Sequence, residues 1–191
     1  AQEGMEGDEF TLKLELKLLA DVGIIGFPNA GKSTFISRVS AAKPKIADYP
    51  FTTLTPHLGV VQYADDKNFV IADIPGLIPG AHEGMGMGDK FLKHVERTSL
   101  LLHIIDVSMT PHTDAWSNFS TINDELKKYN PALAEKEQIA AINKIDLPFV
   151  REKIKKEVAL FKKKGIILHA FSAVTGEGVK EILNRIAEKL K

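Results

Sequence analysis

The feature of this sequence that most constrains its fold is the run GFPNAGKS at residues 26–33. It has the pattern G-x-x-x-x-G-K-[ST], follows a predicted strand and precedes a predicted helix. In that context the glycines let backbone N–H groups point inward at phosphate oxygens, and the helix N-terminus adds its positive dipole end. Lys32 is expected to contact the β- and γ-phosphates, and Ser33 to bind Mg²⁺. The predicted phosphate-binding residues are Gly26, Phe27, Pro28, Asn29, Ala30, Gly31, Lys32, Ser33 and Thr34.

Strands and helices alternate along most of the chain. The predicted strands are 21–26, 57–64, 68–73, 100–107, 138–143 and 166–171, and the predicted helices are 32–40, 88–98, 114–128, 149–163 and 178–190. Strands 100–107 and 138–143 are nearly continuous apolar runs, which is typical of central parallel strands buried on both faces. A short polar turn makes 57–64 an antiparallel edge strand. The pattern predicts an α/β fold with a mostly parallel six-stranded sheet and helices on both faces.

The first 18 residues are predicted to lie outside this sheet. Leucines alternate with charged residues over 11–18, which predicts a half-buried strand. Almost no chain is left for a crossover before the strand at 21–26. We therefore interpret 1–18 as the tail strand of a preceding domain and 19–191 as one nucleotide-binding domain.

Composition excludes several classes of site. The 191 residues include no cysteine, which excludes disulfides, thiol catalysis and thiolate metal sites. The 25 basic and 25 acidic side chains give no bulk charge that would favour nucleic acid or a membrane. No apolar run reaches the length of a membrane span, and residues 1–9 are too polar for a signal peptide.

A second motif, NKID at 143–146, follows the apolar strand 138–143. The Asp146 carboxylate can accept hydrogen bonds from N1–H and the 2-amino group of guanine, whereas adenine would leave it unpaired. Lys144 is expected to lie along the base, and Asn143 to connect this loop to the phosphate loop. After the last strand, Ser172, Ala173 and Val174 are expected to present backbone N–H groups to the guanine carbonyl oxygen.

Two further segments are predicted to respond to the γ-phosphate. Asp73 ends strand 68–73 in the run DIPG and is placed to hold Mg²⁺, while the Gly76 N–H can contact the γ-phosphate. The glycine-rich stretch that follows is typical of a switch ordered by nucleotide. In the run YPFTTLTP at 49–56 a threonine is expected to bind Mg²⁺, and the residues alone leave Thr52, Thr53 and Thr55 open.

In order and spacing these five segments resemble those of translation-factor-class GTPases, and the chain resembles the Obg family almost throughout. The similar runs are LELKLLADVG (14–23), GFPNAGKST (26–34), DYPFTTLTP (48–56), DIPGLIPGAHEG (73–84) and LLHIIDVS (101–108). The resemblance implies a Ras-like P-loop GTPase fold, GTP hydrolysis and Thr53 as the magnesium threonine. We include Phe51, Thr52 and Thr53 among the nucleotide-binding residues, with Ser33, Thr53 and Asp73 as metal ligands.

The resemblance also implies a cellular role. Obg proteins are cytoplasmic GTPases associated with the large ribosomal subunit and its assembly, and with the stress response through guanosine tetraphosphate. They carry a glycine-rich N-terminal domain, of which only the last strand is expected here, and a variable C-terminal domain. The fragment itself is expected to be a monomer.

Hydrolysis needs charge neutralisation and a positioned water. Leu77 occupies the place where many GTPases have a water-orienting glutamine. We predict Lys32, Asn29, Thr53 and Gly76 as the catalytic set, with Asn29 either ligating K⁺ beside the phosphates or only stabilising the loop. His82 and Glu83 are weaker candidates for positioning water.

Three alternatives remain open from the sequence. The chain can be a P-loop ATPase or small-molecule kinase, against which the motif at 143–146 argues. It can be a nucleotide-gated binding module whose own turnover is too slow to matter. It can also be a related GTPase of tRNA modification or iron transport, against which the run at 73–84 argues.

Overall fold

The computed structural model describes residues 20–41, 45–46, 57–64, 67–73, 98–108 and 114–190. Outside these residues lie the predicted strand within 1–18, residues 88–97 of the predicted helix 88–98, the switch segment 49–56, and the part of the second switch segment that follows Asp73. The last residue of that predicted helix, Thr98, instead begins the strand Thr98–Ile105.

Seven described strands form one sheet in the order β2-β3-β4-β1-β5-β6-β7. The strands are β1 Ala20–Ile25, β2 Lys45–Ile46, β3 His57–Ala64, β4 Lys67–Asp73, β5 Thr98–Ile105, β6 Gln138–Ile142 and β7 Leu168–Ala170. β1 pairs in parallel with β4 and β5, and the parallel pairing continues through β6 to β7. β3 is antiparallel to both of its neighbours. The predicted α/β class, with a mostly parallel sheet and one antiparallel strand, is confirmed.

All six predicted strands are present, but the sheet has a seventh strand, β2, and the predicted edge position of β3 is therefore wrong. The short β2 pairs outside it, with Lys45 opposite Leu58 and Ile46 opposite His57. Two residues are too few to show the alternation that identifies a strand in a sequence. The pairing partner, rather than the local pattern, makes this segment a strand.

The described helices are α1 Lys32–Val39, α2 Ala115–Tyr129, α3 Pro131–Ala134, α4 Pro148–Lys163 and α5 Val179–Lys189. Four of them agree with prediction to within one or two residues. The one-turn α3 was not predicted. It begins because the Asn130 side chain accepts a hydrogen bond from the Ala132 N–H, and because Pro131 occupies the first position, where no N–H is needed.

Both faces of the sheet are covered, which explains the continuous apolar run of β5. Leu102 and Ile104 pack on one side in a cluster with Phe35 of α1 and Ile182 of α5. On the other side, Leu101 packs with residues of α2, and Ile105 packs with residues of α2 and α4. Alternate residues of β5 thus pack against helices on opposite faces of the sheet.

The topology gathers the polar ends of four strands at one edge of the sheet. β1, β4, β5 and β6 run in the same direction, and each is followed or ended by a residue of special type: Gly26, Asp73, Asp106 and Asn143. Ligands of open α/β sheets bind beyond this carboxyl edge.

A histidine is buried in the core beneath this edge. His103 of β5 is 1% exposed and stacks on Phe119 of α2, with ring centroids 4.8 Å apart. Burial lowers the pKa of His103 to about 3, although its contact with Gln138 opposes this. Since the unfolded chain binds this proton at about pH 6.5, the contribution to stability is complete above that pH and is lost as the pH falls towards 3.

We predict that His103→Leu flattens the acid side of the stability profile. Between pH 7 and 4.5 the wild-type free energy of unfolding should fall by about 2–3 kcal/mol more than that of His103→Leu, measured by urea denaturation. The exposed His57 offers a control, because His57→Asn should retain the wild-type slope. Equal slopes for wild type and His103→Leu would contradict the account.

Candidate functional site

The backbone of the loop between β1 and α1 requires glycine at two positions. Gly26 has φ of 147° and Gly31 has φ of 95°. A Cβ on Gly26 would lie 2.2 Å from the Ile104 carbonyl oxygen, and one on Gly31 would lie 2.2 Å from Asn143 Nδ2. Both motif glycines are therefore required by conformation and by space.

The Lys32 side chain folds over the same loop. Its ammonium Nζ donates to the carbonyl oxygens of Gly26 at 3.1 Å and Phe27 at 3.2 Å. Burial lowers the pKa of Lys32 below its usual value, and the negative charge of Asp73 opposes this. A partly desolvated cation held beside inward-facing amides is suited to bind an anion such as phosphate.

Ser33 and Asp73 meet next to the phosphate loop. Ser33 Oγ donates to Asp73 Oδ2 at 2.8 Å across 40 residues of sequence. Asp73 is 7% exposed, and its other oxygen, Oδ1, is buried without a hydrogen-bond partner among the described residues. An unpaired buried carboxylate oxygen beside a hydroxyl is a hard oxygen donor set, which fits Mg²⁺.

Asn143 connects the phosphate loop to the loop after β7. Its Nδ2 donates to the Ala30 carbonyl oxygen at 2.8 Å, and its Oδ1 accepts from the Ala173 N–H at 3.0 Å. The side chain is only 2% exposed, so both bonds are shielded from water. The bond to Ala30 is the predicted connection between the 143–146 loop and the phosphate loop, whereas the connection to the loop after β7 was not predicted.

Asp146 lies at the rim of the same edge. Ser172 Oγ donates to Asp146 Oδ1 at 2.6 Å, and the Ile145 N–H donates to the Phe171 carbonyl at 3.3 Å. The Asp146 side chain is exposed, and within the described residues its Oδ2 accepts no hydrogen bond. One carboxylate oxygen thus holds the loop, while the other is open to a ligand.

Lys144 is held by a residue that the sequence reasoning missed. Lys144 has φ of 66°, and its Nζ donates to Asp106 Oδ2 at 2.6 Å and to Ser108 Oγ at 3.1 Å. Asp106 is itself fixed, because its Oδ1 accepts from the Ser108 N–H at 2.8 Å. Asp106 directly follows β5, as Asn143 follows β6. This shared position after a central apolar strand could have identified Asp106 as a site residue.

Two arginines contact the loop after β7, and neither was predicted from the sequence. Arg38 of α1 donates to the carbonyl oxygens of Ala173 and Val174. Arg151 of α4 donates to the Ile145 carbonyl oxygen at 3.0 Å and pairs with Glu177. Glu177 raises the pKa of Arg151. No sequence motif marks either arginine, because their partners are distant or are backbone atoms.

The predicted site residues fall into two groups, those that the structure describes and those that it does not. The structure brings together residues of the phosphate loop, Asp73, the 143–146 motif and the 172–174 loop. Pro28, Asn29, Ser33, Thr34 and Val174 are exposed, whereas Ala30 and Ser172 are buried. Phe51, Thr52, Thr53 and Gly76 lie outside the described residues, so their roles stay predictions.

We predict that Gly31→Ala lowers nucleotide affinity at least tenfold, on the order of 1.4 kcal/mol, because its Cβ displaces the Asn143 side chain. Gly165 is a matched control, since it has φ of 77° but nothing within 4 Å of a built Cβ. Gly165→Ala should cost about 1 kcal/mol of stability through backbone strain and leave affinity unchanged. Calorimetric titration with GDP and thermal unfolding measure the two effects; equal loss of affinity in both variants would contradict the prediction.

We further predict that Asp106→Asn weakens GDP binding by roughly tenfold, because it removes the charge that fixes the Lys144 ammonium. The exposed Asp124 of α2 offers the control, and Asp124→Asn should bind GDP as the wild type does. GDP affinity unchanged in Asp106→Asn would show that Lys144 needs no such support.

Comparison with known proteins shows similarity to GTPases. The family model of a 50S ribosome-binding GTPase matches residues 21–144. The GTPase Obg of Syntrophus aciditrophicus is 65% identical over 192 residues, which cover 100% of this chain and 56% of that protein. The GTPase Obg of Syntrophotalea carbinolica is 57% identical, over 100% of this chain and 53% of that protein. The chain thus spans about half the length of these relatives.

Solved structures show the same fold at low identity. The G domain of the T. maritima FeoB iron transporter matches with a TM-score of 0.67 at 22% identity, over 89% of this chain and 98% of that one. None of the helices in the described part of this chain is long and apolar enough to cross a bilayer. Because the family model matches more than half of its residues, the chain belongs to the family of 50S ribosome-binding GTPases.

Proposed function

We propose that this chain binds GTP and GDP with Mg²⁺ and hydrolyses GTP to GDP and phosphate, acting as a slow molecular switch. The observation that carries the proposal is the Asn143 side chain, which joins the phosphate loop to the loop after β7. A phosphate-binding end and a base-binding end are thus held at one edge of the sheet. Such an arrangement fits a nucleoside polyphosphate rather than an isolated anion.

At the phosphate end, Ser33 and Asp73 would hold Mg²⁺, and Thr53 is the third proposed ligand. Bound there, the ion would neutralise charge on the β- and γ-phosphates. Lys32 adds a second positive charge from the chain itself. Within the described residues its ammonium donates to two carbonyl oxygens of the loop, and phosphate oxygens would be stronger, charged acceptors.

At the base end, Asp146 would select guanine. Its Oδ1 accepts a hydrogen bond from Ser172 Oγ, so a contact within the chain orients the carboxylate. N1–H and the 2-amino group of guanine are the complementary donors, and adenine lacks this arrangement. Leaving the carboxylate unpaired would cost a factor of roughly 10⁴ or more in affinity for adenine nucleotides.

Asn29 is the proposed ligand for K⁺. It has φ of 61°, which asparagine tolerates better than most residues. The backbone conformation is therefore one reason for an asparagine at this position. Its side chain is exposed and makes no hydrogen bond within the described part of the chain. That leaves the amide oxygen available beside the phosphate loop. A monovalent cation there would supply part of the charge that an arginine finger supplies in other GTPases.

The proposal also extends to the role of the whole protein. The family description names binding to the 50S ribosome, which supports a partnership with the large ribosomal subunit and a place in its assembly. The resemblance to Obg proteins supports a cytoplasmic location and a stress response through guanosine tetraphosphate. Guanosine tetraphosphate would use the same guanine pocket.

A second candidate is a nucleotide-gated binding module with negligible turnover of its own. The observation that favours it is Leu77, which cannot orient the attacking water in place of a glutamine. The two functions differ in intrinsic turnover rather than in nucleotide binding.

We predict that GTP turnover is faster in KCl than in NaCl at equal ionic strength. In Asn29→Gly, which removes the amide and keeps the φ of 61° accessible, that difference should disappear. Phosphate release is the readout, and ATP is the control substrate, which should not be turned over.

Equal but measurable turnover in both salts would make Asn29 a structural residue and remove K⁺ from the proposal. GTP binding without turnover in either salt would favour the binding module. Turnover of ATP at a rate similar to that of GTP would contradict guanine selection.

A further inference from the structure

The loop of residues 172–177, here called the base loop, leaves one backbone N–H unpaired. Among its six amides, five donate hydrogen bonds: Ser172 to Glu177 O, Ala173 to Asn143 Oδ1, Thr175 to Ser172 Oγ, Gly176 to Ser172 O, and Glu177 to Thr175 Oγ1. Only the Val174 N–H has no partner within the described residues. Val174 is 67% exposed, so this amide is open to a ligand.

Arg38 holds the carbonyl side of the peptide that joins Ala173 to Val174. Arg38 Nε donates to the Ala173 carbonyl oxygen at 2.6 Å, and Nη2 donates to the Val174 carbonyl oxygen. Gly176 leaves room for this contact, since a Cβ there would lie 3.2 Å from Arg38 Cζ. The guanidinium therefore lies against the base loop as a two-pronged donor.

Peptide geometry connects these two facts. The Ala173–Val174 bond is trans, as no described peptide bond is cis, so its C=O and N–H point in opposite directions in one plane. Fixing the Ala173 oxygen towards Arg38 therefore directs the Val174 N–H away from Arg38. The Ala173 N–H is held by Asn143 at 3.0 Å, so the preceding peptide is fixed as well.

We propose that Arg38 is a positioning residue that aims the Val174 N–H at the 6-keto oxygen of guanine. The inference rests on the proposed function, because it assigns a further part of the same guanine pocket. The charge on Arg38 also polarises the peptide whose carbonyl it binds, which strengthens the opposite N–H as a donor.

The placement of Arg38 links base recognition to phosphate binding. It lies in α1, six residues after Lys32, and α1 begins at the phosphate loop. One rigid helix therefore carries the lysine that contacts phosphate and the arginine that orients the base loop. Asn143 makes the other connection between the two ends of the pocket.

The test separates recognition of the 6-keto oxygen from recognition of the 2-amino group. Affinities for GDP, 6-thio-GDP and IDP are measured by calorimetry for wild type, Arg38→Ala and Arg38→Lys. 6-Thio-GDP replaces the keto oxygen with a weaker acceptor, whereas IDP lacks the 2-amino group that faces Asp146. Arg185→Ala is the control, because Arg185 of α5 pairs with Glu188 on the same helix.

In Arg38→Ala the preference for GDP over 6-thio-GDP should shrink by roughly threefold to tenfold, the worth of one hydrogen bond. The preference for GDP over IDP should not change. Arg38→Lys should fall between wild type and Arg38→Ala, since one ammonium cannot present two donors in a fixed fork. Arg185→Ala should match the wild type in both ratios.

An unchanged 6-thio ratio in Arg38→Ala would overturn the inference, and so would an equal fall in both ratios, which would indicate general loosening of the pocket. If the wild type did not bind GDP at all, the proposed function would fail first, and this inference with it.

Discussion

The site depends on the two hydrogen bonds of the Asn143 side chain. One amide group satisfies the Ala30 carbonyl of the phosphate loop and the Ala173 N–H of the base loop, at 2.8 and 3.0 Å. Because Asn143 is buried, losing it would leave two polar groups unpaired in a dry environment, at a cost of roughly 1–3 kcal/mol each. The absence of a side chain at Gly31 follows from this contact, since Asn143 Nδ2 occupies the space.

Other contacts extend the same connection. Asp106 fixes Lys144, Ser172 fixes Asp146, and Arg38 fixes the carbonyl side of the base loop. Asp106 and Ser172 follow different strands and Arg38 lies in a helix, and the parallel sheet brings them together at its carboxyl edge. The polar groups that would face a nucleotide are thus held by contacts within the chain itself, which limits the entropy lost on binding.

Local patterns in the sequence were sufficient for the parts of the site that are continuous in the chain. The run at 26–33 predicted a strand, loop and helix because its glycines and lysine together are typical of a phosphate-binding loop. The apolar runs predicted the central strands. Arg38 could not be predicted, because its partners lie 135 and 136 residues away and are backbone oxygens. The edge position of β2 also depends on pairing with a distant strand, so β3 was wrongly placed at the edge.

The most direct test of the account is a calorimetric titration of the purified chain with GDP and with ADP in the presence of Mg²⁺. GDP should bind at least roughly 10⁴-fold more tightly than ADP, because adenine would leave Asp146 unpaired. Comparable affinities for the two nucleotides would contradict guanine recognition at Asp146 and favour an ATPase or a small-molecule kinase.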